Sequence, residues 1–189
     1  MSLENSPVSE TGTRRAIDIT GKSNRYLVRK LTQGKVSPIK RKQVEKWNVE
    51  PSWFVAATQI DLLDKDEPIV KGEIVKKIAS YRHQDILKKR LNPQRFIDYP
   101  YVKGLLIDCN LICHYCKEDS LILYETRRDM SQWTVDRIDN SIGHDVDNIV
   151  ISCLKCNLQR RSQNADKFLQ TKQLVITRED HEDGVTDNE

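Results

Sequence analysis

The sequence predicts an α+β protein in which a helical basic region precedes a small cysteine-braced unit of short strands and a helix. Three observations carry that expectation. Apolar residues recur at helical spacing beneath a basic surface in the first half, short apolar runs bounded by turn residues occupy 121–152, and all five cysteines fall between Cys109 and Cys156. The 189 residues suffice for one core with extensions, and 38% apolar, 31% charged and 6% aromatic residues suit a polar protein with a modest core. The longest unbroken apolar run, Trp53 to Ala57, falls far short of the roughly 20 residues a membrane span needs. The N-terminus MSLENSPVSETGTRR has no apolar h-region, so we expect an intracellular protein, of cytoplasm or nucleus, with no membrane partner.

Taken in order, residues 1–36 mix Ser, Thr, Asn, Gly and basic residues without a period and read as a flexible basic arm. Residues 37–100 form the helical basic region. Within PIKRKQVEKW, Val44 and Trp47 stand three apart and predict a short helix that Pro51 ends. Ser52 is expected to cap a second helix, SWFVAATQIDLL. Between Glu73 and Leu91, Ile74, Val75, Ile78, Ala79, Ile86 and Leu87 recur at helical spacing, Lys76, Lys77, Lys88, Lys89 and Arg90 cover other faces, and Asn92-Pro93 breaks the helix. From Tyr101 the stretch YVKGLLIDCNLI leads into the region 101–176. There Leu121 to Tyr124, Trp133 to Ile138 and Asn148 to Ser152 read as strands, and CLKCNLQRRSQNADKFL as a helix starting at the second cysteine pair. Residues 177–189 form an acidic disordered tail.

The formal charge of +3 hides an asymmetry. Arg178 to Glu189 holds one Arg against six carboxylates, a net −5, which leaves 30 basic and 22 acidic residues, a net +8, on residues 1–177. Such a balance suits a polyanionic partner, the alternative being a merely solvated surface.

Four cysteines make two pairs, Cys113-His114-Tyr115-Cys116 and Cys153-Leu154-Lys155-Cys156. Two thiolates separated by two residues can turn around one tetrahedral ion at about 2.3 Å, and a second pair closes a structural zinc site. A disulfide reading fails in a reducing compartment, and a redox reading wants one such pair in a βαβ context. Cys109 is left over as a small buried hydrophobe. His114 takes a surface or outer role because four thiolates already fill the site. The 36 residues between the pairs must hold structure of their own.

The order of CxxC, a strand WTVDRIDN, a polar loop NSIGHDVDN, a further strand, and CxxCN opening a helix with RR behind it resembles the HNH, or His-Me-finger, nucleases. The likeness covers roughly 101–176. The chain resembles specifically the zinc-braced branch that includes phage recombination endonuclease VII, and more closely still HNH-like proteins of large DNA viruses and phages, which makes a viral origin part of the expectation. The resemblance implies a treble-clef ββα-metal domain on the four-cysteine zinc, and magnesium- or manganese-dependent hydrolysis of phosphodiester bonds, with DNA as partner and a homodimer as an option. Carried over by position, Asp136 matches the metal-binding acid, Asn157 the second protein ligand of the catalytic ion, and Asn148 the middle Asn that holds the loop. One carboxylate and one amide oxygen are hard ligands suited to such an ion.

Arg137 departs from the pattern, standing where most of the family has the histidine base. With a pKa above about 12 an Arg is no base, but it can donate two hydrogen bonds to a phosphate. The base is then His144, eight residues from Asp136, or Asp139, and His144 has the better matched pKa. Arg160 and Arg161 read as phosphate contacts or as a solvated helix face, and Trp133 as a core residue. Two readings follow: a metal-dependent HNH-type endonuclease, and a non-catalytic treble-clef nucleic-acid-binding protein that lost its base at Arg137.

Overall fold

Prolines start several elements of the first half, and Asn48 ends the first helix. The computed structural model describes residues 40–174, all within the second of the two units, Met1–Pro38 and Ile39–Glu189, into which the chain divides. The arm over 1–36 and the tail over 177–189 lie outside the described residues. Helix α1 (Lys42–Trp47) ends where Asn48 turns left-handed at φ 48°. Pro51 then opens a 3₁₀ turn, Pro51–Phe54, rather than only ending α1. Ser52 lies inside that turn and caps nothing, because an N-cap needs extended backbone and Pro51 has already started the turn; α2 (Ala56–Asp64) begins behind Val55.

Helix α3 (Pro68–Leu87) starts five residues ahead of Glu73, because Pro68 occupies a first-turn position where its missing N–H costs nothing. It also ends before Asn92-Pro93. Lys89 turns left-handed at φ 55°, and Arg90 N–H closes on the Asp85 carbonyl at 2.8 Å. Helix α4 (Tyr99–Asp108) is capped by Asp98, whose Oδ1 accepts from Tyr101 N–H at 3.0 Å. It runs through the 100/101 boundary drawn from the sequence.

Strands β1 (Trp133–Arg137) and β2 (Ile149–Cys153) pair antiparallel, with Asp136 opposite Val150 and Arg137 opposite Ile149. The strand expected over Leu121–Tyr124 does not form; only Leu121 bridges to Gln132. Fully buried Gln59 of α2 takes the peptide groups instead. Its Oε1 accepts from Ile122 N–H (2.7 Å) and Leu123 N–H (3.0 Å), and its Nε2 donates to the carbonyls of Trp53 (2.8 Å) and Leu123 (2.9 Å). Backbone groups satisfied by one side-chain amide need no ladder. After β2 the single expected helix is two, α5 (Leu154–Arg160) and α6 (Ala165–Gln173), broken at Arg161 (φ 54°) and restarted by Asn164, whose Oδ1 accepts from Lys167 N–H at 3.1 Å.

The described residues thus combine helices with a small two-stranded sheet. The hairpin lies between two buried clusters. The larger joins Leu63, Val70, Ile74, Val102, Leu106 and Leu123 to Trp133, Val135 and Ile151; the smaller holds Cys113, Tyr115, Cys153, Cys156 and Phe168. No described helix is long and apolar enough to cross a membrane.

Candidate functional site

The Cys113–Cys116 knuckle turns because Lys117 adopts φ 59° and Cys113 N–H closes on the Glu118 carbonyl at 2.8 Å. Cys153 ends β2 and Cys156 stands in the first turn of α5, so both pairs meet: the four Sγ atoms lie within 4.8 Å of one another. A tetrahedron of thiolates at about 2.3 Å from zinc has edges of about 3.8 Å, and Cys116 and Cys153 Sγ are 3.8 Å apart. The group can therefore hold a metal such as zinc. Hydrogen bonds from Cys153 and Cys156 hold the Cys113 thiol well below the usual range, and the same hydrogen bonds to Cys113, then its charge, push Cys153 up to about 12 and Cys156 up as well. A divalent cation relieves that mutual suppression. Backbone N–H groups of Cys153 and Cys156 point at Cys113 and Cys153 sulfur at 3.3 and 3.4 Å. Cys109 lies outside this group and is half-buried, not buried, because it stands at the C-cap of α4 with its Sγ near the Leu106 carbonyl at 3.5 Å. His114 is half-buried edge-on to Tyr115, and burial holds its pKa down.

Side chains alternate along β1, and the two faces meet different partners. Thr134 and Asp136 face α5. Asn157 Nδ2 donates to Thr134 Oγ1 (3.1 Å) and the Val135 carbonyl (3.4 Å), and its Oδ1 accepts nothing among the described residues. Asp136 is 5% exposed; its Oδ1 pairs with Arg160 Nη1 at 2.8 Å and its Oδ2 accepts from Tyr115 OH at 2.8 Å. Burial pushes its pKa up, against the pull of Tyr115 and Arg160.

Arg160 corrects the expectation of a phosphate contact or solvated face. It is 0% exposed, because positions 157 and 160 share the face of α5 that packs on β1, and its Nη2 donates to the Ile138 carbonyl at 2.9 Å. Its Nε is buried without a partner among the described residues. Arg161, past the helix end, is exposed.

Trp133, Val135 and Arg137 face α3. Glu73, Lys77, Tyr81 and Asp85 form a stripe at four-residue spacing on that helix, and four helical residues advance about 6.0 Å while two strand residues advance about 6.7 Å, so the elements stay in step. Lys77 donates to the Trp133 carbonyl, Tyr81 OH accepts from Val135 N–H at 2.9 Å, and Asp85 meets His144. His144 Nδ1 lies 3.0 Å from both Asp85 oxygens, its N–H donates to Asp85 Oδ2 at 2.7 Å, and its ring stacks on Tyr81 with centroids 4.5 Å apart. Burial holds the imidazole below its usual range, opposed by Asp85. Gly143 permits the approach: a Cβ there would sit 2.6 Å from the Arg90 carbonyl oxygen and 3.0 Å from Asp85 Oδ2.

Arg137 Nη1 donates to the Ile142 carbonyl at 3.1 Å, and burial followed by the charge of Arg90 holds its pKa down. Asn148 is buried and ties the loop, accepting from Asp139 N–H (2.9 Å) and donating to the carbonyls of Asp139 (3.1 Å) and Gly143 (2.9 Å). Asp139 is exposed and caps its own turn through Ser141 N–H at 2.7 Å. The structure therefore places Asp136 and Asn157 on one face of β1, with Asn157 bonded to Thr134 and Val135 and Asp136 to Tyr115 and Arg160, and sets Arg137 and His144 on the other. Sequence reasoning missed Tyr115, Tyr81 and Asp85. The four-residue spacing of Lys77, Tyr81 and Asp85 is the available signal for the last two, masked by the apolar pattern of the same helix; Tyr115, inside the cysteine knuckle, carries none.

Compared with protein-family models, curated proteins and solved structures, the chain matches none.

Proposed function

We propose that this chain is a zinc-braced, metal-dependent endonuclease of HNH type that hydrolyses phosphodiester bonds in DNA, with the knuckle, hairpin and α5 as its treble-clef ββα-metal unit. The observation that carries the reading is that Asn157 of α5, 21 residues beyond Asp136 in sequence, packs on the same face of β1, bonding Thr134 and the Val135 carbonyl, while Tyr115 from the cysteine knuckle bonds Asp136. The donor set suits magnesium or manganese. Each Asp136 oxygen accepts one hydrogen bond and keeps a lone pair, metal-bound carboxylates are ordinarily hydrogen-bonded in this way, and the Asn157 amide oxygen is unspent. Such an ion, when bound, supplies charge stabilisation at the phosphate and its leaving oxygen.

The chain's own residues do the rest. Tyr115 and Arg160 orient the Asp136 carboxylate. Arg137 donates to the phosphate and takes no proton. His144, whose pKa burial lowers and whose Nδ1 Asp85 holds, is the base: its Nε2 accepts the proton of the water that attacks the phosphate. Exposed Arg161 contacts the DNA backbone.

A second reading, a DNA-binding scaffold without cleavage, draws on the Arg160 cation already seated on Asp136 and on Arg137 in the base's place. A plasmid-nicking assay on zinc-loaded protein separates the two. We expect magnesium-dependent nicking that Asp136→Ala abolishes while DNA binding persists. Intact binding with no nicking by the native protein, and nicking after Arg137→His, would establish the scaffold.

A further inference from the structure

At the other end of β1 from Asp136, three cations and one carboxylate converge on a cleft of about 250 Å³. Arg41 enters from the segment before α1, Glu73, Lys76 and Lys77 from α3, and Tyr124 and Trp133 form the aromatic wall. The space is far larger than one water, whose share of liquid volume is about 30 Å³.

The charges do not balance. Glu73 answers Arg41 at 2.7 Å and Lys76 at 2.7 Å, so a single carboxylate serves two cations and Lys77 has no acid of its own among the described residues. Carbonyls and aromatic rings hold these cations in position instead. The Arg41 guanidinium lies 4.1 Å from the Tyr124 ring centroid and 5.0 Å from that of Trp47, with Nη1 donating to the Tyr124 carbonyl at 3.3 Å. The Lys77 ammonium sits 4.7 Å from the Trp133 centroid and spends one of an ammonium's three donors on the Trp133 carbonyl. Arg41 and Glu73 side chains are only 11% and 10% exposed, so water screens this arrangement weakly. Burial, and then the like charge of Arg41, bring Lys77 down to about 7 against the pull of Glu73. Cations crowded in this way without a matching acid are what an anion relieves.

We propose that this cleft binds a phosphate group, with Lys77, Lys76 and Arg41 donating to its oxygens. The shared chemistry is the phosphoryl oxyanion, supplied by a DNA backbone or by free phosphate. The site is separate from the proposed catalytic end of β1: Lys77 bonds the Trp133 carbonyl, three residues before Asp136 on the strand, and stands eight residues, about 12 Å along the helix axis, from Asp85, which meets His144. It does not require that the protein cut DNA.

The test uses the zinc-loaded full chain in two arms. In the first, inorganic phosphate is titrated into protein observed by amide NMR. Saturable shifts are expected around Lys77, Tyr124 and Trp133 in the millimolar range or tighter; Lys77→Met removes them and Lys77→Arg keeps them. Lys76→Gln weakens them without disturbing packing, since that side chain is 68% exposed, and so serves if Lys77→Met fails to fold. In the second arm, DNA affinity is followed against salt, and loss of the Lys77 charge should flatten the log–log slope by about 0.9 if a backbone phosphate occupies the cleft. A phosphate response with an unchanged DNA slope assigns the site to free phosphate. Absence of both the phosphate response and the slope change overturns the proposal. Asp136→Ala should leave the phosphate response intact whatever the nicking assay gives, so failure of the nuclease reading and failure of this one are told apart.

Discussion

The two faces of β1 are assembled from different reaches of the chain. On the α5 face, Tyr115, Asn157 and Arg160 reach Asp136 and Thr134 across 21 to 24 residues. On the α3 face, Tyr81 and Lys77 reach β1 across 54 and 56 residues, and Asp85 reaches His144 across 59. The near face belongs to the small cluster around the thiolates, the far face to the larger apolar core. The two faces of the strand therefore meet two chemistries with different structural supports: a carboxylate held by the cysteine knuckle and α5, and a histidine held by α3.

Removing the metal that the four thiolates can hold should widen that difference most. Chelation, or Cys116→Ser, takes away binding on the order of 10 kcal/mol, comparable with the whole stability of a domain. Hydrogen exchange should show protection lost in the knuckle, α5 and α6, with α2, α3 and α4 retaining more of theirs. Equal loss in both sets would show that the faces share one support.

A smaller effect is expected within the near face. Arg160→Met leaves Asp136 buried without its cation, at a cost of roughly 3–5 kcal/mol in denaturant unfolding at neutral pH. Burial already pushes the Asp136 pKa up with Arg160 present, and the variant raises it further. The folded state then binds a proton more readily than the unfolded one, so the lost stability should return as pH falls through that raised value. A deficit that persists at acidic pH would place the cost in packing rather than charge.

The smallest effect probes the far face. His144 is held below the usual 6.5 by burial while Asp85 pulls it up. Its contribution to stability is therefore intact above about pH 6.5 and declines as pH falls through the depressed folded value. Asp85→Asn removes the upward pull, so NMR titration of the imidazole should move to lower pH, with about 1 kcal/mol lost. A titration that moves upward, or stays, would mean that Asp85 does not govern the ring.

Much of the near face was legible. CxxC spacing predicts four thiolates around one ion, the alternation of WTVDR and IVISC predicts the hairpin, and Asn148 ties the loop at the position expected of it. Arg160 was not legible, because two adjacent arginines at a helix end look alike in sequence; one packs on β1 and the other passes the helix end. Nor was the absence of a Leu121–Tyr124 strand, because that segment's hydrogen bonds go to Gln59, whose letter carries no sign of that role.

The sequence by itself determined what neighbouring residues settle among themselves: most of the helices and the two hairpin strands, which four sulfurs can meet, and that a carboxylate and an amide flank the cysteine unit. Tertiary structure alone decided which face each polar group joins. Lys77, Tyr81 and Asp85 become a buried polar stripe only because α3 packs in step with β1, and Arg160 becomes an internal counter-ion only because α5 lays it on Asp136. A charged side chain is a solvated ornament or a buried partner according to what lies within a few ångströms of it, and packing sets that distance across tens of residues.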